Sequence, residues 1–136
     1  MDRQEELRQW IFLAKQNLDV AKNSAKNMYP MPVETICNQC QQSVEKDLKG
    51  YLFLNREEFP KTHDLSELLA MCIDINPNFA KFVKQCTFLT KFAVMPKYPN
   101  ELQLTDDDAK AAIRFAEEIK EFVVNACAWH STSITH

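Results

Sequence analysis

The sequence predicts an all-α protein, an antiparallel up-and-down helical bundle of four to five helices, on three observations. Its 136 residues contain a single glycine, where average usage would give roughly nine or ten. Hairpins, bulges and phosphate-cradling loops depend on glycine for positive φ or close backbone approach, so sandwiches, dinucleotide-binding crevices and P-loops are disfavoured. Apolar residues recur every three or four positions through five successive stretches, the period of an amphipathic helix. The stretches are separated by proline, asparagine and aspartate, residues that stop or cap helices. Each helix then carries one apolar stripe, and burying five stripes around a shared core gives a bundle.

The first stretch places Leu7, Trp10, Ile11, Ala14, Leu18, Ala21, Ala25 and Met28 on one face. Tyr29-Pro30-Met31-Pro32 ends it, and Pro32 suits the opening of the next helix, where a missing N–H costs little. The second stretch shows Val33, Ile36, Cys37, Cys40, Val44, Leu48, Tyr51 and Leu52, with Gly50 near its end. A hydrophilic loop from Asn55 to Thr62 follows. The third helix carries Leu65, Leu68, Leu69, Cys72 and Ile73, with Thr62 or Asp64 available as cap. Asn76-Pro77 interrupts the chain, and a fourth helix capped by Asn78 presents Phe79, Phe82, Val83, Cys86 and Leu89. A connection of about residues 92–104 contains Pro96-Lys97-Tyr98-Pro99, stiffened by its two prolines. Thr105-Asp106-Asp107-Asp108 opens the last helix with a hydroxyl cap and three carboxylates at the positive end of the macrodipole. Its inner face is Ala109, Ala112, Ile113, Ala116, Ile119, Phe122 and Val123. The alanine-rich stripes of the first and last helices imply close approach between them. Residues 1–128 form one domain, and 129–136, without periodicity, are a flexible C-terminal tail.

Sixteen basic and nineteen acidic residues leave a net charge of −3, which argues against a general nucleic-acid coat protein and against DNA as partner. The charged N-terminus lacks a signal-peptide core, and no apolar run nears the ~20 residues that span a bilayer. A cytoplasmic protein with no membrane association is expected, and its five cysteines read as reduced thiols. Cys37-Asn38-Gln39-Cys40 has CxxC spacing, but no second pair completes a zinc site and both thiols fall on the buried stripe. The three histidines, His63, His130 and His136, make no ligand motif on one helix. No nucleophile elbow or nucleotide loop is present. No metal or cofactor is expected.

Two clusters invite a functional reading. Gln41, Glu45 and Lys49 stand at i, i+4 and i+8, a polar ridge on the second helix beside Lys46. By spacing alone, a solvated face with intrahelical pairs is the simpler explanation of the ridge. The second cluster is Lys61-Thr62-His63-Asp64-Leu65, preceded by Arg56 across six residues. A histidine at a helix entrance can serve as acid or base on a phosphodiester, with Arg56 or Lys61 stabilising the charge of the transition state. A helix cap with a packed histidine is the competing explanation.

Trp10 with Ala14 and Leu18, Gln41-Gln42-x-x-Glu45-Lys46-x-Leu48-Lys49, Lys61-Thr62-His63-Asp64-Leu65-x-x-Leu68-Leu69 and Lys97-Tyr98-Pro99 together resemble the HEPN family (higher eukaryotes and prokaryotes nucleotide-binding) over about residues 5–126. The resemblance implies a helical bundle, usually a homodimer, encoded in many bacteria beside a minimal nucleotidyltransferase. Some members are metal-independent ribonucleases acting as toxins of toxin–antitoxin pairs, with the nucleotidyltransferase as antitoxin. Their signature, an arginine and a histidine with four to six residues between them, is met by Arg56 and His63, which are separated by six. The Lys-Thr-His-Asp-Leu segment resembles the non-toxin, nucleotide-binding branch, in which Lys97-Tyr98-Pro99 stands where Arg-Tyr-Pro is usual. Lysine keeps the charge and loses the bidentate fork on phosphate.

Three readings follow. In the first, the protein binds a nucleotide or a nucleotidyltransferase partner through Gln41, Glu45, Lys46, Lys49, Lys61, His63, Asp64, Lys97 and Tyr98. In the second, it is a metal-independent endoribonuclease with Arg56 and His63 catalytic and RNA as substrate. In the third, it is a structural dimer subunit. An apolar dimer patch is expected on some of Tyr51, Phe53, Phe79 and Phe82, which exceed what one face of short helices needs.

Overall fold

A computed structural model describes residues 2–56, 58–94 and 103–135, with side chains as far as Cys127. Its α-helices are α1 (Arg3–Asn27), α2 (Val33–Arg56), α3 (Leu65–Ile75), α4 (Val83–Leu89) and α5 (Asp106–Thr135). Short 3-10 turns at Pro77–Phe82 and Thr90–Phe92 flank α4. The described residues contain no strand, and the all-α bundle stands.

Local chemistry sets most boundaries. Asp2 caps α1 by accepting from the Glu5 amide at 2.8 Å, and Asp64 caps α3 by accepting from Ser66 at 2.9 Å. At the fourth stretch the cap is Asn76 rather than Asn78, and it accepts from the Asn78 amide at 3.0 Å. Pro77 lacks an N–H and sits in the first turn, so the segment begins as a 3-10 helix and becomes α-helical only from Val83. Thr105 and Asp108 form a reciprocal box: Thr105 N donates to Asp108 Oδ2 at 2.8 Å, and Asp108 N to Thr105 Oγ1 at 3.3 Å. Helical backbone continues to Thr135, beyond the point where apolar periodicity stops.

The helix α2 is the axis of the fold. It packs on α1 in antiparallel register: Ser43 Oγ donates to the Ala14 carbonyl at 2.8 Å, and Arg3 Nη1 to the Leu54 carbonyl at 3.4 Å. Gly50 permits that approach, since a Cβ there would lie 3.0 Å from Trp10 Cβ. The alanine stripes of α1 and α5 close chiefly on α2, with a smaller direct contact between α1 and α5. The core runs continuously through Leu18, Ile36, Val44, Leu48, Leu52, Leu65, Leu69, Phe79, Ala112, Ala116 and Ile119.

The aromatic patch expected at an interface lies inside instead. Tyr51, Phe79 and Phe82 are buried and Phe53 is half-buried. Tyr51, Phe79, Phe122 and Phe82 stack in series with centroids 4.7, 4.8 and 5.3 Å apart. These rings fill the wedge left between α2, α5 and the 3-10 turn, a gap too wide for the alanines of α5 to fill.

Candidate functional site

The ridge read from α2 is real, but it is buried. Gln41 is fully enclosed, and Glu45 and Lys49 are 6% and 8% exposed. What encloses them is the segment after α2. It leaves Arg56, runs back alongside the helix, and returns His63 to the level of Gln41 and Glu45. Eleven residues of helix separate Glu45 from Arg56, roughly 16 Å at about 1.5 Å each. Six extended residues can span that distance.

Glu45 is the hub. Its Oε1 accepts from Gln41 Nε2 at 3.0 Å, and its Oε2 from Lys49 Nζ at 3.0 Å. The Nδ1 of His63 lies 3.1 Å from both oxygens. Burial alone would raise the Glu45 pKa, but hydrogen bonds from Gln41, Lys49 and His63 outweigh it and hold the carboxyl below its usual range. A carboxylate only accepts, so Nδ1 carries the hydrogen. In the neutral ring Nε2 is then the lone-pair nitrogen, and the His63 side chain is 70% exposed.

The loop that presents His63 is pinned on both sides. Gln41 Nε2 also donates to the His63 carbonyl at 3.1 Å, and Gln42 Nε2 donates to Gln41 Oε1 at 2.7 Å. The Asp64 amide donates to Thr62 Oγ1 at 3.1 Å, and Leu65 N to Thr90 Oγ1 at 3.0 Å. Lys49 Nζ lies 5.4 Å from the centre of the Phe59 ring, which meets Trp10 edge-on at 5.3 Å. The imidazole is thus an exposed group on a rigid base, able to accept or donate a hydrogen bond or exchange a proton.

The other sequence candidates divide. Lys61 is exposed and has no partner among the described residues. Asp64 is spent on the α3 cap. Lys46 donates to Asn17 Oδ1 at 2.6 Å, and Asn17 donates to Gln39 Oε1 at 2.7 Å, a polar strap between α1 and α2. Arg56 turns to Asp74, at 3.9 Å, near the end of α3. The structure therefore does not bring Arg56 and His63 together. Lys97 and Tyr98 lie outside the described residues.

Sequence reasoning missed a second buried charge on the opposite face of α2. Asp47 is fully buried, and its Oδ1 accepts from Lys120 of α5 at 3.1 Å. Lys120 also donates to the Ile11 carbonyl at 3.4 Å, so one ammonium joins α1, α2 and α5. Asp47 Oδ2 has no partner. Burial pushes the Asp47 carboxyl up to about 7 against the pull of Lys120. The signal was available, because Asp47 falls on the stripe of Cys40, Val44 and Tyr51.

Cys37 and Cys40 are buried free thiols, and burial pushes Cys37 up to about 12. Inert packing groups are what such surroundings make of cysteine. Among the described residues no three His, Cys, Asp or Glu side chains gather closely enough to hold a metal ion. No described helix is long and apolar enough to cross a membrane.

The HEPN domain profile matches residues 7–127, which span both the Glu45 hub and the helices that build it. The chain belongs to the HEPN domain family. Two solved structures share the HEPN fold seen here. An archaeal HEPN homologue, ST0689, is 28% identical with a TM-score of 0.71, covering 88% of this chain and 96% of its own. The protein TT1696 from Thermus thermophilus is 26% identical with a TM-score of 0.70 and the same coverage of 88% and 96%. Comparison with curated proteins finds no match.

Proposed function

We propose that this HEPN domain is a non-enzymatic binding module that takes a nucleotide, and through it or beside it a partner nucleotidyltransferase, at the His63 edge of α2. The observation that carries this reading is the exposed imidazole fixed by a buried carboxylate, with the unpartnered ammonium of Lys61 two residues away. An imidazole with a defined tautomer reads a base edge or a phosphate oxygen, and a flexible lysine adds charge. With one glycine in the chain, a glycine-rich phosphate loop is excluded, and the side chains of His63 and Lys61 carry the phosphate contacts in this reading. Calorimetric titration with ATP, GTP and AMP tests this. Saturable binding that weakens at least about tenfold in His63→Ala supports it, and absence of binding for all three nucleotides overturns it.

A second reading, metal-independent cleavage of RNA, draws on the same tautomer, since an exposed Nε2 lone pair can take a 2′-hydroxyl proton. Arg56, turned toward Asp74, would have to leave that position, or Lys61 would supply the stabilising charge. Cleavage in EDTA that vanishes in His63→Ala supports this alternative, and cleavage retained in that variant contradicts it.

A further inference from the structure

Between the Pro77–Phe82 turn, α4 and α5 lies a groove of roughly 460 Å3 that shares no residue with the His63 site. Its floor is aromatic, formed by Phe82 and Phe122 packed edge-on at 5.3 Å. Its rim carries Glu118, Glu121 and Asn125, which share one face of α5. Gln85 completes the wall, and its buried Oε1 has no hydrogen-bond partner. Neither glutamate has a partner among the described residues. The groove therefore offers two carboxylates beside aromatic ring surface, with the orphaned Gln85 oxygen buried behind its wall, an arrangement that favours positive charge and repels phosphate.

The chain itself already places a cation there. Lys81 Nζ sits 4.5 Å from the centre of the Phe122 ring and 5.3 Å from that of Phe82. We propose that this groove binds a small organic cation, a guanidinium or alkylammonium compound, which takes the place of Lys81 over the rings while its charged end reaches Glu118 and Glu121. The volume is within the range of small-molecule sites. Aromatic faces suit an organic cation with an apolar stem. A hard divalent ion prefers a shell of oxygen ligands rich in carboxylates, and among the described residues no three His, Cys, Asp or Glu side chains gather to hold one. Lys81 acts as a built-in competitor, so removing it should tighten binding.

The test is titration of the full chain with agmatine, followed by amide and aromatic NMR shifts, with magnesium chloride at matched ionic strength as control. Shifts confined to Lys81, Phe82, Gln85, Glu118, Glu121, Phe122 and Asn125 are expected with agmatine and not with magnesium. Lys81→Ala should bind agmatine about two- to fivefold more tightly, and Glu118→Gln with Glu121→Gln about fivefold more weakly. All three substituted side chains are exposed, and unchanged melting temperatures would confirm that the variants stay folded. No shift at about 10 mM agmatine, the same shifts with magnesium, or weaker binding in Lys81→Ala overturns the proposal.

Discussion

Glu45 and Asp47 stand two residues apart on α2, both buried, and their surroundings drive them in opposite directions. Glu45 receives hydrogen bonds from Gln41, Lys49 and His63, and is held below its usual range. Asp47 receives one bond, from Lys120, leaves Oδ2 bare, and is pushed up to about 7. The helical period turns one toward the returning loop and the other into the seam with α1 and α5. Burial is common to both, so the number of donors decides the sign. The contrast also separates roles: the Glu45 side ends at an exposed imidazole, whereas the Asp47 side ends inside the core.

The sharpest way to break the contrast is Lys120→Met, which strips Asp47 of its only donor. At pH 8 the loss in urea-unfolding stability should reach about 3 kcal/mol. At pH 6 it should be smaller, because an unpaired Asp47 can take up a proton. Next comes Asp47→Asn. Folding raises this carboxyl, so the folded state keeps a proton that the unfolded chain releases. The residue thus withdraws stability as pH rises from about 4 to about 7. Unfolding free energies across that window should fall less steeply in Asp47→Asn, by on the order of 2 kcal/mol over the window.

Glu45 has the opposite sign. Its lowered pKa gives stability that is present above about 4.3 and lost as pH falls through the folded value. Glu45→Gln should remove that acid dependence and cost about 2 kcal/mol at neutral pH by leaving Lys49 buried without its counter-charge. Gly50→Ala tests the α1–α2 seam that backs both carboxylates. Helix propensity gains up to about 1 kcal/mol, but the new Cβ meets Trp10 Cβ at 3.0 Å. A net loss of about 1 kcal/mol in thermal unfolding is expected. Smallest is Lys15→Ala, which breaks the exposed Lys15–Asp19 pair of 2.7 Å and should shift stability by less than about 0.5 kcal/mol.

Helix content, most helix starts and the core stripes were legible because they depend on local period and capping. Asn76, Pro77 and the Thr105 box needed only nearest neighbours, although the 3-10 turn moved the cap two residues back. The ridge of Gln41, Glu45 and Lys49 was visible as a spacing, yet its burial was not. Spacing along α2 carries no record of where residues 58–64 return, and that return turns a solvated face into a hub. Arg56 and His63 looked paired by sequence distance for the same reason. Only the path of the loop shows that they stand at its two ends. Asp47 was legible as an acid on an apolar stripe, while its partner Lys120 is 73 residues away and beyond any local pattern.

The central claim is that buried Glu45 poises exposed His63 for a ligand. An ATP titration of wild type and Glu45→Gln, followed by the His63 ring signals in NMR, tests it most directly. The account predicts that ATP perturbs the His63 ring in the wild type, and that Glu45→Gln weakens binding by about tenfold while staying folded. Equal affinity in the two proteins, or ATP shifts that bypass His63, would contradict it.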